Sequence, residues 1–330
     1  MREPAPGAAV MDGGGHGPAV VEVVRSGFVE SVHLGTVVVL DPDGGVVHAA
    51  GDPDAAVLPR SANKPLQLVG MVRAGLRLDE PDLAVGASSH SGEQPHVRRV
   101  RDLLTANKIP ESVLVCPPAL PLGVEAAHAV LRAGGGPARA YMNCSGKHTA
   151  MVLTCVANDW PVSGYADPAH PLQVAVRAAV EDLAGPVTAV AVDGCGAPLL
   201  GLTLTGLARA FGRLTTAEPG SPERAVADAM RAHPDLVGGT GRDVTAVMRA
   251  VPGLLAKDGA EGVYAAALSD GSAVAVKVAD GTDRARTPLL LDGLGRLGVH
   301  AEALDGLAAA PVLGGGHPVG SIRLRHDARL

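Results

Sequence analysis

Aromatic residues are nearly absent: Phe, Tyr and Trp together make up 2% of 330 residues. A core must therefore be packed mainly from Val, Leu and Ala, and the stacking platforms that bind single-stranded nucleic acid are missing. Lysine is the second scarcity, with five among 28 basic residues. The net charge of −6 and a pI near 6.0 leave no basic footprint for a polyanion, so nucleic acid is excluded as a partner. Cysteine is the third. The four present (Cys116, Cys144, Cys155, Cys195) form no CxxC pair and no dense disulfide framework. Reduced thiols and a cytoplasmic location are expected. No long hydrophobic run exists either. The longest, "VTAVAVDGCGAPLLGLTLTGLA", is broken by Asp193 and a Gly/Pro cluster, so no membrane span is expected. The N-terminus has no apolar core of a secretory signal.

What is present suits a soluble globular chain, 47% apolar and 19% charged. Residues 1–17 are Gly/Pro-rich and read as a mobile tail ahead of one unit, 18–330, without repeats or a boundary-forming linker. "TVVVLDPDGGVVHAAG" predicts a strand, a Pro-Asp-Gly-Gly turn and a returning strand. "RSANKPLQLVGMVRAG" then changes to helical spacing. Further helices are predicted over 95–107, 124–133, 146–158, 170–184, 222–233, 242–250 and 283–297. "VTAVAVDG" (187–194) reads as a buried strand. "GVYAAALSDGSAVAVKVADG" predicts a second hairpin turning at Ser269–Ser272, with a last strand near 319–325. Strands at both ends and helices between them predict an α+β fold, one antiparallel sheet assembled from distant segments.

Four constellations carry chemistry. In "RSANK", Ser61 and Lys64 form an SxxK pair. A serine hydroxyl is a weak nucleophile until a base takes its proton, and neutral lysine can do so where arginine cannot. Pro65 disfavours α geometry at Lys64, so a tight 3₁₀ start is expected, which still aligns i with i+3. In "GASSHSGEQPH", Ser89 and His90 are expected on a strand-to-helix turn after "DLAVGA", with Ser91 as a helix N-cap. Lys64, Lys147 and Lys257 occupy unusual contexts for a chain that otherwise uses arginine, which favours roles needing an amine that can lose its proton. Finally, Cys144 and Lys147 of "NCSGK" could converge with Cys195 of "DGCGAP" on a zinc ion. From spacing alone, two buried free cysteines serve equally well, and His148 reads as a satisfied helix histidine.

Taken together, "RSANKP", "SSHSGE", "NCSGKH", "DGCGAP", "HPDLVGGTGRDVT" and "LLAKDGAEGVY" resemble the asparaginase II family, the class 3 L-asparaginases typified by a rhizobial inducible enzyme. The resemblance runs in order over roughly 20–325. It implies a mixed α/β catalytic domain over 18–330, similar to serine β-lactamases and glutaminases, and a homodimer. It implies two Ser–Lys pairs, Ser61 with Lys64 and Ser89 with Lys257. It makes Cys144, Lys147 and Cys195 the ligands of a zinc ion, and puts Arg60, His148 and Asp193 beside the substrate. The implied reaction is hydrolysis of L-asparagine to L-aspartate and ammonia through a serine acyl-enzyme. A glutaminase or a β-lactamase/peptidase-like acyl hydrolase would use the same SxxK chemistry, and a non-catalytic zinc- or amino-acid-binding module could keep the same pocket.

Overall fold

The computed structural model describes residues 17–325, so the tail expected at 1–17 lies, up to residue 16, outside the described residues. The chain opens with strands β1 (Ala19–Arg25), β2 (Phe28–Leu40), β3 (Val46–Ala50) and β4 (Ala56–Val57). A 3₁₀ turn (Arg60–Asn63) then leads into α1 (Lys64–Arg73), α2 (Glu80–Gly86), α3 (Gln94–Ala106), α4 (Val124–Arg132), α5 (Ser145–Ala157) and α6 (Pro171–Ala184). Strands β5 (Ala189–Val192) and β6 (Pro198–Thr203) separate these from α7 (Leu204–Thr216), α8 (Pro222–Ala232), α9 (Pro234–Val237) and α10 (Asp243–Ala250). Strands β7 (Leu255–Gly259), β8 (Val263–Ala267) and β9 (Ala273–Val278) follow, then α11 (Asp283–Arg296), α12 (Asp305–Ala308), β10 (Ala310–Gly314) and β11 (His317–Leu324).

The main sheet has eight antiparallel strands in the order β10-β11-β1-β2-β9-β8-β7, with β3 also on β2. Its strands come from both ends of the chain, as the α+β expectation required, and form two halves, β10-β11-β1 and β9-β8-β7. The long β2 joins them: Phe28–Leu34 pairs with β1, and Gly35–Leu40 pairs with β9. Every residue of β7 and β8 is buried, and both α7 and α11 pack on β8 and β9. A strand covered on both faces is apolar without alternation. With so few aromatics, that interior is Val and Ala: Val263, Ala265, Ala266, Ala273, Val274 and Val276 are all fully buried.

Three local expectations are corrected. "DLAVGA" ends a helix and is not a strand, because Asp79 caps α2 by accepting from the Asp82 amide and Pro81 sits in the first turn. Ser89 and His90 therefore lie on a helix-to-helix turn. Ser91 is not the cap of α3. Glu93 holds that position, and the Ser91 hydroxyl donates to the Gly238 carbonyl at 3.0 Å. The strand at 189–192 forms but is mostly exposed, because it is the edge of a small sheet ordered β4-β6-β5 and pairs only with β6. Among the described residues no helix is long and apolar enough to cross a membrane.

Candidate active site

The 3₁₀ turn expected at "RSANK" is formed, and the Lys64 amide donates to the Ser61 carbonyl across it. Arg60 opens it at φ +51°, a left-handed conformation that costs a non-glycine residue roughly 1–3 kcal/mol unless its surroundings impose it. The imposing contacts are visible. Arg60 Nε donates to Asp193 Oδ1 at 2.9 Å, and its fork also faces Glu261 Oε1 at 3.6 Å. The turn packs on the end of β7. A Cβ on Gly259 would lie 2.5 Å from the Pro59 carbonyl oxygen, so only glycine lets β7 approach this closely. The strand that carries Lys257 is thus pressed against the turn that carries Ser61.

Lys64 is buried, and its Nζ donates to the Ser88 carbonyl at 2.7 Å and to Ser89 Oγ at 3.0 Å. The structure therefore joins Lys64 to Ser89, a partner 25 residues away, while Ser61 is half-buried with no side-chain hydrogen bond among the described residues. Ser89 is itself pinned, its amide donating to the Val237 carbonyl at 3.1 Å. Lys257 does not bond to Ser89. Its Nζ donates to Asp258 Oδ1 at 2.6 Å and to the Asp258 carbonyl at 2.8 Å. Burial, aided by the Lys64 charge, brings the Lys257 amine down to about 8 against the pull of Asp258.

Cys144, Lys147 and Cys195 meet. Lys147 Nζ lies 3.3 Å from Cys195 Sγ, the Cys195 thiol donates to Asp193 Oδ2 at 3.6 Å, and the Cys144 thiol donates to Asn143 Oδ1 at 3.3 Å. The neighbouring Cys195 thiol, together with the Lys64 and Lys147 cations, holds Cys144 well below the usual thiol range despite burial, while Cys144 and burial push Cys195 up. Burial favours a neutral Lys147, yet both sulfurs and Asp193 outweigh it and raise that amine. Burial would also raise Asp193, but Lys147 and the Arg60 bond hold it below the usual carboxylate range. All four cysteines are free and buried.

Two cysteine sulfurs belong to the donor set of a zinc ion, but lysine does not, and Lys147 would have to give up the proton its surroundings favour before it could ligate. Among the described residues no group of three or more His, Cys, Asp and Glu side chains is arranged to hold a metal, so the amine would have to be the third ligand.

His148 is not the satisfied histidine its helical position implied. Its Nδ1 lies 2.7 Å from the Tyr165 hydroxyl, while Nε2 is buried with no hydrogen-bond partner among the described residues. Burial and the neighbouring Lys147 and Lys64 charges keep it neutral. The small residues of "NCSGKH" also have reasons. Ser145 Oγ donates to the Ala140 carbonyl at 2.9 Å and lies 2.9 Å from His90 Nε2. A Cβ on Gly146 would lie 2.3 Å from the Val85 carbonyl oxygen, so glycine is what lets α5 sit against α2. Gly146→Ala is expected to destabilise the protein by about 1–3 kcal/mol through this backbone clash. Thermal melting reads the effect, and an unchanged Tm would contradict it.

Sequence reasoning missed Asp258, Arg242 and Arg286. Asp258 Oδ2 accepts from Arg242 Nη2 at 2.6 Å and from Arg286 Nη2 at 3.3 Å, and Arg242 Nη1 reaches the Ser89 carbonyl at 3.4 Å. One signal was available: a charged pair inside a short strand otherwise made of Leu, Ala and Gly. A groove of about 590 Å³ between α3 and α4, lined by Arg98, Arg101 and Tyr141 among others, shares no residue with this cluster.

An L-asparaginase II family model matches residues 21–324, nearly the whole chain. No curated protein matches it. Among solved structures it is similar to a candidate β-lactamase from Bacteroides dorei DSM 17855, at 16% identity and a TM-score of 0.40, covering 87% of this chain and 95% of that one. It is also similar to Mglu, at 16% identity and a TM-score of 0.38, covering 86% of this chain and 72% of Mglu. At such identities and TM-scores these likenesses carry no functional argument.

Proposed function

The chain belongs to the L-asparaginase II family, a family of amidohydrolases, and we propose that it converts L-asparagine to L-aspartate and ammonia through a serine acyl-enzyme. One observation carries this reading: the buried amine of Lys64 holds the Ser89 hydroxyl at 3.0 Å, and Lys257 is a second fully buried amine, in a chain that uses arginine almost everywhere else. Arginine cannot serve as a base, whereas a lysine can once it has lost its proton, which burial favours at Lys257.

In this reading Ser61 attacks the side-chain amide carbon. Its hydroxyl is half-buried and free of hydrogen bonds among the described residues, whereas Ser89 is buried and already held by Lys64. The proton from Ser61 passes to Lys64, one 3₁₀ turn further on, whose Nζ must be neutral and turn from Ser89 to take it. Ser89 and Lys257 relay a proton to the departing nitrogen as the C–N bond breaks and ammonia leaves. Water then attacks the ester, gives up a proton to the same amines, and Ser61 regains its hydrogen. Asp193 takes the substrate α-ammonium on Oδ2, which carries only the 3.6 Å contact from the Cys195 thiol, since Arg60 and the Gly194 amide occupy Oδ1. Arg60 and the unpartnered His148 Nε2–H face the remaining polar groups of the substrate.

Cys144, Lys147 and Cys195 would hold a zinc ion, which when bound would supply an electrophilic anchor that orients substrate. The nucleophile comes from the serine. Chelation is therefore expected to raise KM more than it lowers kcat. Cys144→Ser and Cys195→Ser should reproduce that pattern and lower the zinc content of the purified protein, while Cys116→Ser should not. Stoichiometric zinc in a double Cys144/Cys195 variant would contradict these ligands.

Ammonia release from asparagine and glutamine, and ring opening of a chromogenic β-lactam read by absorbance, test the function. The expected order puts asparagine first. Preference for glutamine or the β-lactam would move the assignment to the runner-up acyl hydrolases, and no turnover of any of them would leave a binding module. The rate should also rise with pH through about 8, because Lys257 must be neutral to accept a proton. A rate that falls across that range would contradict Lys257 as a base.

A further inference from the structure

Lys257 is fully buried beside a buried carboxylate, an arrangement that ordinarily keeps a lysine charged. Here the carboxylate is shared. While Asp258 Oδ1 accepts from Lys257 at 2.6 Å, Oδ2 accepts from Arg242 at 2.6 Å and from Arg286 at 3.3 Å. One anion thus faces three cations, and two of them cannot lose a proton. The arginines are anchored independently of Lys257. Arg286 Nη1 donates to the Gly259 carbonyl at 2.7 Å and to Asp283 Oδ1 at 2.8 Å, and its guanidinium lies 5.6 Å from the centre of the Tyr264 ring. Arg242 Nη1 reaches the Ser89 carbonyl, which ties the cluster to the second serine.

We propose that Arg242 and Arg286 hold Asp258 so that it fixes the position of Lys257 without fixing its proton. All three are then positioning residues, acting on the reaction through Lys257. The proposal rests on reading Lys257 as a base of the proposed hydrolysis. Had Asp258 no other partner, the ion pair would keep Lys257 protonated, and a hydrogen bond to a carboxylate at 2.6 Å would be an obstacle to catalysis. With its charge compensated by two guanidiniums, Asp258 is an acceptor that orients the amine.

The other charged groups around Lys257 fit this division of labour. Lys64 on α1 opposes its charge, as does Arg242. Asp243 on α10 is occupied by Arg286 at 3.4 Å and by the Thr287 hydroxyl at 2.7 Å. Arg60 on the 3₁₀ turn is paired with Asp193 and Glu261, and Arg231 on α8 with Asp228. Tyr264 on β8 is held neutral by burial, reinforced by Asp243 and Asp258.

Two substitutions of opposite sign test the device. Arg286→Gln takes a cation from Asp258, strengthens its hold on Lys257, and should move the Lys257 titration up by about one pH unit; Arg286→Lys should return it. Asp258→Asn removes the anion and should move the titration down. Two readouts apply: the rising limb of kcat/KM against pH, and the titration of the Lys257 Cε resonance by NMR in lysine-labelled protein, which has only five lysines to assign. Opposite shifts in both readouts support the proposal. Folded variants in which the Lys257 titration does not move overturn it. If Asp258→Asn does not fold, Arg242→Gln supplies a second upward shift at a more exposed guanidinium, and its absence overturns the proposal equally. The NMR titration needs no turnover, so a shifted resonance in a protein that hydrolyses no amide upholds the arginine device and sinks the hydrolase reading instead.

Discussion

Ser61→Ala is expected to cut turnover by at least about three orders of magnitude while leaving the protein folded, as removal of a covalent nucleophile does. The fold should survive because the Ser61 hydroxyl makes no hydrogen bond among the described residues, and the 3₁₀ turn is closed by backbone groups, the Ala62 amide on the Pro59 carbonyl among them. Loss of activity would therefore report chemistry and not collapse. Ser89→Ala is the informative control. It removes a hydroxyl that Lys64 holds at 3.0 Å, so it should lower kcat without abolishing covalent chemistry. Near-normal hydrolysis by a folded Ser61→Ala protein would transfer the nucleophile's role to Ser89, where the lysine is already bonded.

Lys64→Arg is expected to cost about two to four orders of magnitude in kcat, the range attributed to a general base. The charge is kept, but a guanidinium cannot take the serine proton. The site has little room for the larger head. Lys64 is 1% exposed and bonded to Ser88 and Ser89, with Cys144 nearby. The substitution should thus lower stability as well, by roughly 1–3 kcal/mol from overpacking. Melting temperature and kcat measured on the same samples separate the two effects. A folded Lys64→Arg enzyme with wild-type kcat would mean that charge alone suffices at this position.

Legibility in the sequence followed the range of the interactions. The first hairpin was readable because its turn is local: Asp41 Oδ1 accepts from the amides of Asp43 and Gly45, at 3.0 and 2.8 Å. The 3₁₀ start before Pro65 was readable for the same reason. Strand β7 was not, since both its faces are covered and it carries Lys257 and Asp258 where alternation would look for one polar residue in two. The short apolar run of α2 could not be told from a strand by periodicity. In the site, spacing could link Ser61 only to Lys64, whereas the lysine's actual hydrogen-bond partner comes from a turn after α2. The meeting of Cys144 with Cys195 was implied by family resemblance and not by spacing, and the fold buries both beside Lys147, whose Nζ lies 3.3 Å from Cys195 Sγ. Asp258 with its two arginines escaped notice because the three come from a strand, a loop and a helix that the sequence separates.

Hydroxylamine partitioning during asparagine turnover tests the central claim most directly. An acyl-enzyme is an ester, and hydroxylamine competes with water for its carbonyl. The account predicts that aspartate β-hydroxamate replaces aspartate as hydroxylamine is raised, that ammonia release is not slowed, and that both products vanish in Ser61→Ala. Ammonia and aspartate formed in equal amounts with no hydroxamate at any hydroxylamine concentration would contradict it, because water would then be attacking the amide directly.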